Sequence, residues 1–279
     1  MSSVKTETIV SKRPLGTSVS RWCGKNLIRI YMFFAFVYLF IPVVYTFVFS
    51  FNDSGKDNIT WRGFTFEKWL NPCGAPRVCE ALGNSIKVGL LATIFSTILG
   101  TLIAFAIGRY AFRGRSASNL LIFLPMATPE IVLGASILSL FLVMQVNPGF
   151  WPIVIAHVVF CISFVVVTVK ARIASLDPRL EQAAMDLYAN EFETFRRVTL
   201  PLVAPGIAAA ALLAFSLSFD DFIITNFNSG TVTTFPEFVY GAAARGIPAQ
   251  ANVIASAVFF VALALVVIGQ VVSRKRKVS

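Results

Sequence analysis

Apolar and polar positions alternate along this chain in long blocks rather than in short amphipathic repeats. Six apolar blocks occupy 27–50, 85–108, 118–143, 150–172, 202–226 and 252–272. A helix that crosses a bilayer needs about 20 mostly apolar residues, and each block is long enough. The pattern predicts an all-α polytopic membrane protein with six transmembrane helices. The chain divides into a polar tail (1–26), a first span with its following loop (27–84), a core of five spans (85–272) interrupted by a polar stretch at 173–201, and a basic tail (273–279). The first 26 residues are polar and basic, so no cleavable signal peptide is expected.

Composition agrees with this. Of 279 residues, 56% are hydrophobic and 14% charged, whereas soluble domains carry roughly 25% charged residues. A soluble enzyme or a free nucleic-acid binder is therefore excluded. The net charge of +10 would suggest nucleic acid in a soluble protein, but its distribution says otherwise. Eighteen of the 24 Lys and Arg residues fall in the two tails, the turn at 109–117, the 173–201 stretch and the adjoining span ends. The other six are Lys56, Arg62, Lys68, Arg77, Lys87 and Arg245. By the positive-inside rule, both termini are expected in the cytoplasm, and the terminal Arg-Lys-Arg-Lys reads as a topology anchor.

The four cysteines, Cys23, Cys73, Cys79 and Cys161, have no C-x-x-C spacing, and His157 is the single histidine. No zinc or haem site is expected. Cys73 and Cys79 share an exported loop, where a disulfide can form, although spacing alone leaves bridged and free forms both open. The chain has no G-x-x-x-x-G-K-[ST] and so no phosphate-cradling loop; no enzyme activity and no bound cofactor or metal are expected. It shows no internal repeat of the kind common in self-contained carriers, and its few spans point to a partner subunit.

The stretch 173–201 reads as an amphipathic helical hairpin. Asp177-Pro178 opens a helix. Leu180, Ala183, Ala184 and Leu187 then form an apolar stripe, with Glu181 and Asp186 on the other side. Asn190 to Glu193 starts a second short helix carrying Phe195 and Val198, which Leu200-Pro201 closes. Such a hairpin lies on lipid or docks into a partner. Glu181, Asp186, Glu191 and Glu193 would be repelled by anionic lipid, so docking to a protein is favoured.

The acidic residues inside the spans make a second argument. Glu130 falls near the middle of the third span, and Asp220 and Asp221 fall in the outer half of the fifth. A charge at the bilayer centre costs at least ~2.5–3.5 kcal/mol, and no Lys or Arg sits mid-span to pair with these. Three unpaired carboxylates suit the path of a cation. Pro129 would break the helix beside Glu130, which is tolerated where backbone lines a cavity. Adjacent residues point about 100° apart on a helix, so one of Asp220 and Asp221 faces the path while the other caps or bonds a partner; Ser216 and Ser218 extend the wet face. His157 is expected to be a hydrogen-bonded packing residue, with a proton relay as the alternative. Trp61, Trp69, Trp151 and Tyr240 suit an interfacial aromatic belt. Trp61 and Phe64 flank the outer mouth, either as loop core or as cation–π contacts.

The 173–201 stretch resembles the EAA loop of ABC-importer permeases of the MetI-like family, whose usual form is E-A-A-x-x-x-G followed by I-x-L-P. The matching residues are Glu181, Ala183, Ala184, Val198, Leu200 and Pro201; Tyr188 departs from the family's glycine. Over about residues 27–272 the chain is similar to the PotC-type permeases of spermidine/putrescine importers, through YLFIPVVYTFVFSFN (38–52), ITWRGFT (59–65), GRYAFRGR (108–115), ATPEIVLGASILSLF (127–141), GFWPIVIAHVVFCISFVVVTVKAR (149–172) and LSFDDFIITNFNSG (217–230).

The resemblance implies a permease of the bacterial plasma (inner) membrane that moves polyamines inward by alternating access. Its implied partners are a homologous second permease, two ATPase subunits that hold ATP and Mg, an extracytoplasmic binding protein and the lipid bilayer, with no nucleic acid. Glu181, Ala183, Ala184, Asp186, Leu187, Tyr188, Phe192, Arg196 and Arg197 are then the coupling candidates. Glu130, Asp220, Asp221, Ser216, Trp61 and Phe64 are the candidates for the substrate path. The alternatives are the same machine for another organic cation or amino-acid derivative, and a stand-alone channel or carrier.

Overall fold

The computed structural model describes residues 16–54 and 58–276, with side chains for 26–54 and 58–269. Lys5, Lys12, Arg13, Lys56 and Lys277 of the charge tally lie outside the described residues, as do the side chains of the remaining terminal basic residues. The regular secondary structure of the described residues is helical apart from one isolated antiparallel bridge between Asn52 and Phe64. Its helices are α1 (Gly16–Phe49), α2 (Glu67–Leu70), α3 (Val78–Arg109), α4 (Arg115–Ala127), α5 (Glu130–Val143), α6 (Phe150–Ala174), α7 (Arg179–Asp186), α8 (Glu191–Thr194), α9 (Leu200–Asp220), α10 (Ile223–Asn228), α11 (Phe235–Ala243) and α12 (Ala249–Arg276). The first helix starts at Gly16, inside the stretch expected to be a polar tail.

Five helical stretches are long and apolar enough to cross a bilayer: Asn26–Phe49, Val78–Arg109, Phe150–Ala174, Glu191–Asp220 and Ala249–Gly269. The third apolar block is different. It is two helices, α4 and α5, bent by 107°. Pro129 has no N–H to continue the ladder, and it forces Thr128 before it into an extended conformation, φ −81° and ψ 131°. With 13 and 14 residues, neither half alone spans a bilayer. By length and composition the described residues therefore offer five candidate crossings, or six if the bent pair counts as one.

The fifth crossing also departs from expectation, because Leu200-Pro201 closes nothing. Pro201 has no N–H for the Arg197 carbonyl, and the ladder responds by widening into a π turn, Phe195–Thr199, rather than by stopping. The helix from Glu191 to Asp220 is continuous.

α6 is the centre of the core, flanked by α3 and α9. Ala104, Phe160, Val165, Val166, Val169 and Ala210 are buried between them. Small residues let these axes approach closely. A Cβ added at Gly100 would lie 2.7 Å from a Val165 methyl, and one at Gly206 would lie 2.5 Å from the Arg172 side chain. α1 packs on α12, and its apolar stretch is not buried within this chain.

Gly100→Ala tests that packing. The gain in helix propensity is at most about 1 kcal/mol, while overpacking costs about 1–3 kcal/mol. The variant should lower the unfolding temperature of the detergent-solubilised protein, and Val165→Ala in the same chain should restore part of the loss.

Candidate translocation site and coupling loop

Two helix breaks meet at one place. Pro129 makes Glu130 the first residue of α5, so within the bent pair Arg115–Val143 it stands at the break and not inside a continuous helix. α9 stops at Asp220, and Asp221 is extended, φ −65° and ψ 127°. The two aspartates therefore do not share a helix face, and the 100° argument does not apply to them. α5 lies against α10 so closely that a Cβ on Gly134 would come within 3.3 Å of the Ile224 Cα, and Asn228 Nδ2 reaches the Gly134 carbonyl at 3.4 Å. Glu130 stands one helical turn before Gly134, and Asp221 three residues before Ile224.

The three acids have different surroundings. Asp221 is buried and fully bonded, so it is not one of three unpaired carboxylates. Its Oδ1 accepts from the Ile224 N–H at 3.3 Å. Its Oδ2 accepts from the Thr225 N–H at 2.8 Å and the Thr225 hydroxyl at 3.0 Å, and His157 Nε2 lies 3.3 Å away. His157 is 1% exposed. Its Nε2 also meets Thr225 Oγ1 at 2.9 Å, and its Nδ1 meets Ser218 Oγ at 2.6 Å. Both ring nitrogens are engaged inside the protein, as a packing histidine requires. Glu130, Asp220 and Ser216 are exposed on the isolated chain, and Ser216 lies one helical turn before Asp220.

Trp61 and Phe64 are part of the aromatic cluster of the loop after α1. Phe64 stacks on Phe51 with centroids 5.3 Å apart, and Trp61 meets Phe49 edge-on at 6.0 Å. Asn52 holds this loop together: its amide donates to Asn58 Oδ1 and the Thr60 carbonyl and accepts from the Arg62 N–H. Cys73 in the next loop is bonded to Cys79 in the first turn of α3, with Cα atoms 5.3 Å apart. A cavity of about 780 Å³ opens beside them and reaches Phe222, the neighbour of Asp221; Arg77, Asn226, Tyr240 and Arg245 also line it.

At the other end of α3 the 173–201 loop folds as two short helices, α7 and α8, with the apolar stripe turned away from the rest of this chain. Leu180, Ala183 and Leu187 of the apolar stripe are exposed and Ala184 is half-buried, while Glu181 turns inward. The Glu181 carboxylate takes two bonds from the Arg109 guanidinium, at 2.5 and 2.6 Å, and one from the Thr199 hydroxyl at 2.5 Å. Asp186, Arg196 and Arg197 are exposed, and Arg197 lies 3.6 Å from Glu193.

α7 ends in a left-handed cap. The Tyr188 N–H bonds the Met185 carbonyl and the Ala189 N–H bonds the Ala184 carbonyl, with Tyr188 at φ 61°. This is the cap for which glycine is preferred, so the turn survives with a tyrosine in it. Leu187 (82%), Tyr188 (99%) and Phe192 (69%) stand exposed around the apex. Arg109, Thr199 and Thr225 were not singled out from the sequence. Only the need of a half-buried glutamate for a cation could have pointed to Arg109.

Residues 96–277 match the family described as binding-protein-dependent transport system inner membrane component, and the chain belongs to that family. It is a multi-pass membrane protein and a permease component. Among its relatives, the spermidine/putrescine transport system permease protein PotC of Haemophilus influenzae is 34% identical over 246 residues, covering 88% of this chain and 95% of that protein. PotC of Escherichia coli is 34% identical over 254 residues, covering 91% and 96%. The putrescine transport system permease protein PotI of E. coli is 34% identical over 230 residues, covering 79% and 81%. These relatives are transport proteins rather than enzymes.

Two solved structures share the fold. One is a bacterial ABC transporter involved in the import of the acidic polysaccharide alginate, with TM-score 0.68, 15% identity, and coverage of 96% of this chain and 100% of that one. The other is the MetNI methionine ABC transporter, with TM-score 0.54, 17% identity, and coverage of 74% and 99%.

Asp221→Ala leaves His157, Thr225 and a buried N–H without their acceptor, and breaking a buried pair costs about 3–5 kcal/mol. It should sharply lower thermal stability in detergent, whereas Asp220→Ala, at an exposed position, should not. Equal effects from the two would refute the division of roles.

Proposed function

We propose that this chain is the membrane permease of an ATP-binding-cassette importer that carries spermidine or putrescine into the cytoplasm by alternating access. The observation that carries the reading is the pair of exposed carboxylates, Glu130 and Asp220, at two helix breaks within the apolar blocks of this chain. Such groups are too costly to face lipid. They suit the ammonium groups of a polyamine, and the relatives named for spermidine and putrescine support that substrate class.

The exposed acids need cover, and a homologous second permease supplies it. The apolar apex at Leu187, Tyr188 and Phe192 is the docking surface for an ATPase, which holds the ATP and Mg. Two such ATPases drive the pair of permeases, and an extracytoplasmic binding protein delivers the solute. Both termini and the 173–201 loop lie in the cytoplasm of a bacterium, on the inner side of its plasma membrane, a reading that the biased distribution of Lys and Arg supports. Trp61 and Phe64 stay at the outer mouth as loop core.

In the reconstituted complex, Glu130→Gln and Asp220→Asn should each cut uptake of labelled spermidine at least tenfold while complex assembly stays intact. Uptake that survives both changes refutes the substrate path. The chain reconstituted alone should pass no solute; flux without an ATPase would make it a carrier or channel instead.

A further inference from the structure

Arg109 closes α3, and the two bonds to Glu181 form a parallel fork that fixes direction as well as distance. Thr199, the last residue of the π turn, binds the same carboxylate. The two charged side chains are only 27% and 22% exposed, so this pair is withdrawn from the screening that makes open surface pairs weak. One turn before Arg109, Phe105 meets Phe195 of the π turn edge-on, with centroids 5.2 Å apart. Three elements thus converge on one carboxylate: the end of α3, the body of α7 and the root of α9.

α7 has eight residues, too few to be stable on helix propensity alone. Non-helical links join it to α6 on one side and to α8 on the other. Its position depends on what its side chains grip, and Glu181 grips α3. α3 in turn packs along α6 and α9, and α9 ends at Asp220.

We propose that the Arg109–Glu181–Thr199 cluster is a mechanical latch that makes the coupling loop and α3 move as one body. With the latch closed, a displacement of the loop by a docked ATPase is carried into α3, α6 and α9. With it open, α7 follows the ATPase while α3 stays behind, and ATP is hydrolysed without transport. Arg109 and Glu181 are positioning residues: neither faces the docking apex. The inference rests on the reading that this loop receives an ATPase, and the experiment separates the two.

The test uses the complete complex in liposomes with Arg109→Gln, Glu181→Gln and the charge-swapped double variant Arg109→Glu/Glu181→Arg. Permease yield, ATPase co-purification and ATP hydrolysed per spermidine transported are the readouts. Each single variant should keep wild-type yield and ATPase co-purification and raise the ATP-to-solute ratio at least fivefold. The swap should bring the ratio back to within twofold of wild type. An unchanged ratio in the single variants overturns the latch. Loss of the ATPase from Glu181→Gln that the swap fails to rescue also overturns it, by making Glu181 a direct ATPase contact. Leu187→Asp, at the exposed apex, should lose the ATPase. If it does not, the docking reading falls, whatever the ratio does in the other variants.

Discussion

The Asp221 carboxylate sits at the point where α9 ends and α10 begins, and it accepts from two backbone N–H groups and the Thr225 hydroxyl with His157 beside it. A buried carboxylate in apolar surroundings has no tolerable alternative to such partners. α6 contributes the histidine, α9 contributes Ser218 behind it, and α10 contributes the threonine, so the three helices are pinned at one depth. The exposed acids inherit their places from this arrangement. Asp220 is the residue next door, and Glu130 sits one turn before Gly134, where α5 packs on α10.

The sequence displayed block lengths, and block lengths are enough to name helices in a membrane protein. It also carried the break at Pro129, but not its size: proline removes a donor, and only the packing of α5 on α10 decides that the chain turns by 107°. Leu200-Pro201 looked like a stop because proline usually is one; the π turn that absorbs it leaves no periodic mark over five residues. The apolar stripe of α7 was visible, yet periodicity reports only that two faces differ. Which face is covered depends on partners: Glu181 finds Arg109, 72 positions away, and no local pattern foretells such a pair. The likeness to a known coupling loop located the candidate residues without orienting them.

Tyr188 is an instance of local cost kept in place by its surroundings. A left-handed conformation costs a non-glycine residue roughly 1–2 kcal/mol, and the side chain, almost wholly exposed, makes no contact in this chain that would offset it. The two backbone bonds of the cap hold the turn regardless. The ring is thereby presented at the foremost point of the loop, where glycine would present nothing.

The helix from Glu191 to Asp220 joins the 173–201 loop to the exposed carboxylate of Asp220 without interruption. At 1.5 Å per residue, its 30 residues form a rod about 45 Å long. Such a rod converts small angles into large displacements: a tilt of about 5° about its Glu191 end sweeps the Asp220 end sideways by about 4 Å. A rocking motion too slight to disturb side-chain packing at the pivot would therefore be felt at the tip as a shift about as wide as a methyl group.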